Sequence, residues 1–177
     1  EEAFNLARSV MKITFLILMC VSLLGILIAP LLIHVIAPGF LDNPEKFDIT
    51  VKLTRIMFPY VIFICLVAVC MGILNVLGHF AGPALAPVCL NVAMIGSVFA
   101  ISPFLGEPVM GLAIGVLIGG VLQLVLQVPF LLKKGFHFWK RASLFHPGLR
   151  KIVFLMLPAV FGAAVYQVNI LIGTLLA

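Results

Sequence analysis

Asp48, Lys52 and Arg55 stand at i, i+4 and i+7, which places an acid and two bases on one side of a helix. That row is either a helix start solvated by ion pairing, or a face from which Arg55 meets an anionic substrate in an aqueous cavity. Gln123 and Gln127 form a second pair inside an apolar run, placed to bond a neighbouring helix or to line a cavity. Further on, Tyr166, Asn169 and Gly173 share one helical face and Ala163, Gln167 and Thr174 another. Polar groups there must face protein or water, because lipid offers them no partner; interhelical bonding and contact with a substrate or ion both meet that need. Asn75 and Asn91 close the two ends of "NVLGHFAGPALAPVCLN". They are expected at matching depth on either side of a neutral hairpin, bonding across it or lining a vestibule.

None of this is a catalytic constellation. His34, His79, His137 and His146 fall at the ends of apolar runs or in loops, and no serine, cysteine or carboxylate is spaced to make a nucleophile with them. Cys20, Cys65, Cys70 and Cys89 lie inside apolar runs without a C-x-x-C spacing, so they read as small core residues rather than a metal site or disulfide. No phosphate-cradling Gly-x-x-x-x-Gly-Lys loop is present. No cofactor is expected, and transport or lipid contact fits better than catalysis.

The elements that carry these groups are set by hydrophobicity. Of the 177 residues 64% are hydrophobic and 10% charged, with a mean hydropathy of +1.31, which marks an integral membrane protein. No charge lies between Lys12 and Asp42, between Arg55 and Glu107, or between Glu107 and Lys133. Crossing a hydrocarbon core takes about 20 apolar residues. Five spans are expected, at about 13–36, 56–77, 84–101, 109–132 and 152–176, forming one polytopic, all-α transmembrane region. Gly111, Gly115 and Gly119 form a small-xxx-small stripe that lets another helix approach closely. Pro83 and Pro87 set the entry of the third span, while Pro158 and Gly162 predict a bend or break in the fifth.

Charge sets the orientation. Arg8, Lys12, Lys133, Lys134, Lys140, Arg141, Arg150 and Lys151 fall on one side, making the start of the chain and the loop 133–151 cytoplasmic. Lys46, Lys52 and Arg55 fall toward the other side with Asp42, Glu45, Asp48 and Glu107, where "APGFLDNPEKFDIT" and "SPFLGEP" read as turns. The excess of +5 points to anionic lipid rather than nucleic acid. The cytoplasmic loop interleaves bases with Phe136, Phe138, Trp139 and Phe145. That pattern suits an amphipathic segment whose rings lie among headgroups while Lys133, Lys134, Lys140 and Arg141 meet anionic lipid. The absence of an initiator methionine and the uncharged "TLLA" end suggest a piece of a longer chain.

Taken in order, "LTRIMFPYVIF", "GILNVLGHFAGPALAPVCLNVAMI", "KKGFHF" and "HPGLRKIVFLMLPAVFGAAVYQVNILI" resemble the MurJ (MviN) lipid II flippases of the bacterial inner membrane, within the MOP exporter superfamily. The resemblance covers essentially the whole chain. It implies a MATE-like fold of fourteen spans in two lobes, of which this chain is similar to the third to seventh, part of the N-terminal lobe. It also implies export of the undecaprenyl-linked peptidoglycan precursor, lipid II, for cell-wall biogenesis. Transport would be by alternating access and driven by a coupling ion or the membrane potential rather than by chemistry. The arginines tied to the pyrophosphate in such proteins lie in other spans, which would be partners of this segment. Where some relatives carry an acidic sodium ligand in the seventh span, Gly173 stands here, leaving Asn169 and Thr174 as oxygen donors. The rival readings are another exporter of that superfamily, for a polysaccharide lipid or a cationic drug, and a membrane enzyme acting on polyprenyl lipids.

Overall fold

A computed structural model describes residues 1–140 and 148–176. It contains six α-helices: α1 (Glu2–Ile36), α2 (Pro44–Met57), α3 (Tyr60–Val76), α4 (Ala81–Ala100), α5 (Pro108–Lys133) and α6 (Gly148–Leu176). Two short 3₁₀ turns, Pro38–Phe40 and Ser102–Phe104, sit between them. Among the described residues there are five stretches long and apolar enough to cross a membrane, with α2 and α3 together making the second.

α1 starts at Glu2 rather than near residue 13, and the second span departs from the sequence reading in two ways that have local causes. The second span begins at Pro44, inside the segment read as a turn. Asn43 caps it, its side chain accepting the Lys46 N–H at 3.2 Å, and Pro44 occupies the first helical position, where its missing N–H is no loss. The same span is broken at Phe58 and Pro59, because Pro59 cannot donate into the helix that would otherwise continue. In contrast, α6 runs unbroken through Pro158, so of the bend or break expected there the break does not occur. The turns on either side hold the helix across the single missing bond.

α3 and α5 end alike. Leu-x-x-x-Gly-aromatic occurs as Leu74 to His79 and as Leu131 to Phe136. In each, the glycine takes a positive φ (Gly78 70°, Gly135 83°) that a side chain would strain. The N–H two residues past the cap then returns to the leucine carbonyl, His79 to Leu74 at 2.8 Å and Phe136 to Leu131 at 3.0 Å. This is the Schellman closure, in which the apolar residues at the two ends of the loop meet. Leu74, Leu131 and Phe136 are all fully buried and join Cys70 in one cluster, with Phe4 and Met11 of α1 against it. This end of the bundle, called the basic end below, is therefore tied together by two identical caps.

α5 is the centre of the molecule. It packs along α4 and α3 and reaches α2, while α1 lies on α2 and α3. α6 touches α1 alone among the larger contacts, and no residue of its spanning window is buried.

Candidate functional site

The glycine stripe of α5 is a helix seam. A methyl group added at Gly115 would stand 2.7 Å from Ser97 Cβ and 3.1 Å from the Met94 backbone, and one at Gly119 would stand 2.6 Å from a Leu90 methyl. At Gly111 it would run into Ser102. Ser97 Oγ donates to the Gly111 carbonyl, and Ser102 Oγ donates to the Pro108 carbonyl at 2.8 Å. Serines on the α4 side thus spend their hydroxyl donors on carbonyls at the start of α5 and tie the two helices together there.

Gln123 and Gln127 continue this stripe into the interior and do not line an open cavity. Gln123 is buried and donates through Nε2 to the Ala86 carbonyl at 3.0 Å. Its Oε1, and both polar atoms of the fully buried Gln127, have no hydrogen-bond partner among the described residues. Asn75 and Asn91 do the opposite. Both are exposed, and no hydrogen bond joins them across the hairpin. The hairpin is fixed instead by the glycine cap and by His79 lying against Phe130, with ring centroids 4.6 Å apart.

At the basic end a residue that counted in the sequence only as a flanking base becomes structural. Arg8 is 4% exposed. Its Nε donates to the His137 carbonyl at 2.7 Å, its Nη1 donates to Asn5 Oδ1 at 2.8 Å, and its guanidinium lies 5.5 Å from the Phe136 ring centroid. Phe4 and Phe138 meet Phe136 edge-on at 5.8 and 5.1 Å. Phe136 is therefore a core ring, not one of a row laid among headgroups. Trp139, 82% exposed, points outward with Lys133 and Lys134, and Lys140 pairs with Glu1 at 3.4 Å on the surface. Arg141 and Phe145 lie outside the described residues.

On α6 Tyr166, Gln167 and Asn169 are exposed and make no side-chain hydrogen bond to other described residues. Gly173 has nothing within 4 Å of an added methyl, and the side chain of Thr174 lies outside the described residues. Arg55, near the end of α2, is exposed and forms no ion pair with Asp48, so the expected ion-paired row is not formed. Its Nε donates instead to the Ile26 carbonyl of α1 at 3.2 Å. Ile26 lies ten residues from the end of α1 at Ile36, about 15 Å at 1.5 Å per residue. α1 carries no acid, lysine or arginine from Ile13 to Ile36, so this contact lies against the spanning part of α1. A guanidinium at that depth, with its outer nitrogens exposed, belongs on a face that meets protein or water.

The described residues contain no group of three or more histidines, cysteines or acids placed to hold a metal ion. The four cysteines are free thiols. What the geometry offers is a packed three-helix wall, α3 to α5, together with polar groups left exposed on α2 and, separately, on α6.

The lipid II flippase MurJ family model matches residues 1–177. The chain is 38% identical over 162 residues to the lipid II flippase MurJ of Burkholderia cenocepacia, covering 88% of this chain and 31% of that protein. It is 36% identical to a probable lipid II flippase MurJ of Rhizobium tropici, covering 100% of this chain and 34% of that one. With the probable lipid II flippase MurJ of Vibrio cholerae the identity is 45% over 132 residues, 75% of this chain and 25% of the relative. The chain thus spans about a third or less of these relatives' length, and it belongs to the lipid II flippase MurJ family.

Proposed function

We propose that this chain forms part of a lipid II flippase, a non-enzymatic transporter moving the undecaprenyl-linked peptidoglycan precursor from the inner to the outer leaflet of the bacterial plasma membrane. The observation that carries this reading is the family match along all 177 residues. The start of the chain and the Lys133–Trp139 side face the cytoplasm, a placement supported by the distribution of lysine and arginine. Trp139 and the exposed lysines beside it meet the headgroup region. The packed α3–α5 wall moves as one body during alternating access, while Arg55 and the polar row on α6 border the path of the anionic headgroup. Movement is driven by a coupling ion or the membrane potential, with Asn169 and Thr174 as oxygen donors where a carboxylate ligand is absent.

Depleting the full-length protein in its host while following lipid-linked precursor on each membrane face tests this. Accumulation on the inner face followed by lysis is expected. Normal precursor export, with loss of a surface polysaccharide or heightened sensitivity to cationic drugs, would overturn it.

A further inference from the structure

Pro30 lies inside α1 and has no N–H, so the carbonyl four residues earlier, that of Ile26, loses its helical donor. Arg55 Nε reaches that same oxygen at 3.2 Å. We infer that Arg55 is the replacement donor for the carbonyl that Pro30 leaves bare, and that Pro30 thereby positions the Arg55 guanidinium against the spanning part of α1.

Two further features meet at this point. Gly25, next to Ile26, is buried under the ring of Phe58, which a methyl group at 25 would overlap. Phe58 and Pro59 form the discontinuity between α2 and α3, and Pro59 deprives the Arg55 carbonyl of its usual helical donor in turn. The second span is thus interrupted beside the stretch of α1 in which Pro30 removes one backbone bond from an otherwise continuous helix. Arg55 belongs to both proline sites, through its own carbonyl at Pro59 and through its side chain at the Ile26 carbonyl.

Depth explains why a donor is needed there. At the membrane surface water would satisfy the Ile26 carbonyl, but Ile26 lies inside the uncharged stretch of α1, and within a bilayer core only protein can. Arginine suits the task because Nε sits early on the side chain, so one nitrogen can be tied down while the terminal two stay unbonded to any described residue. Those two nitrogens are what an anionic headgroup would meet, a consequence that rests on the transport reading above. The anchor itself does not.

The test uses full-length protein and a cycle of Arg55→Met, Pro30→Ala and their combination, with Arg55→Gln alongside. Pro30→Ala restores a backbone N–H for the Ile26 carbonyl. Gln places Nε2 at the same bond count as Arg Nε, and Met matches the length without a donor. Arg55→Met should lower the melting temperature by about 2–4 °C with Pro30 present and change it little in the Pro30→Ala background, giving strong non-additivity. Arg55→Gln should retain most of the wild-type value. Equal losses in both backgrounds, or equal losses for Gln and Met should Pro30→Ala fail to fold, would overturn the anchor. Precursor export in the same strains separates the two layers: a coupled cycle with normal export by Arg55→Gln keeps the anchor and removes the guanidinium from the transport path.

Discussion

α5 and α6 are both long apolar helices with amides in their interiors, yet α5 is packed against α3 and α4 along a buried face, whereas α6 meets only α1 among the larger contacts and buries no residue of its spanning window. The difference lies in what stands beside the amides. α5 carries Gly111, Gly115, Gly119 and Gly120 facing Ser102, Ser97, Leu90 and Tyr60 at distances no side chain could share. Gln123 and Gln127 are carried into the interior by that close approach. α6 has Gly162 and Gly173, each with nothing within 4 Å, and Tyr166, Gln167 and Asn169 remain exposed. Intramembrane polarity alone therefore does not tell a packing residue from a path residue. The spacing of small residues around it does.

The sharpest way to break this contrast is at the closed end of α5. Phe136→Ala would empty the site that closes the helix cap and supports Arg8, and the full-length protein should lose about 3–5 kcal/mol of stability in denaturant unfolding. A loss below about 1 kcal/mol would mean that the ring sits in the headgroup region after all. Gly115→Leu should follow, at about 1–3 kcal/mol from overpacking against Ser97 and the Met94 backbone. Gly96→Leu, on the exposed side of α4 with nothing within 4 Å, should stay within about 0.5 kcal/mol of wild type.

How legible these features were depends on how local their signals are. The glycine stripe shows in the sequence because its period is that of one helix, and the capping glycines follow from Leu-x-x-x-Gly-aromatic for the same reason. The start of α2 was also readable, since Asn43 and Pro44 are a cap and a first-turn proline; mixed charge around them suggested a turn instead. Arg8 was not readable. Its carbonyl partner is 129 residues away, and nothing near Arg8 announces that a core ring will be delivered beneath it. The bond from Arg55 to Ile26 joins positions 29 apart, and becomes meaningful only when Pro30 is seen to have emptied that carbonyl.

Gln127 sharpens the comparison with a change of sign. Its amide is buried without a described partner, so Gln127→Leu should raise stability by about 1–2 kcal/mol, because an unpaired polar group is replaced by an apolar one of similar size. Gln123→Leu, which gives up the bond to the Ala86 carbonyl, should lower it by about 1 kcal/mol. If both substitutions destabilise alike, Gln127 is hydrogen-bonded in the membrane and the closed side of α5 holds a polar partner.

The smallest effect on folding and the most informative one on transport belong to α6. Asn169 is exposed there, so a leucine in its place removes no packing and breaks no bond among the described residues. Stability of the full-length protein should move by less than about 0.5 kcal/mol. Precursor export, scored in cells that depend on the variant, should nonetheless fall, because an amide facing an aqueous path or a coupling ion has been replaced by a group that serves neither. Were export unchanged and stability raised, Asn169 would face lipid, and the polar row on α6 would lose its claim to the path. A drop in stability comparable to that of Gly115→Leu would place Asn169 in a packed seam, and the contrast between the closed and open helices would hold for this segment but not for the assembled transporter.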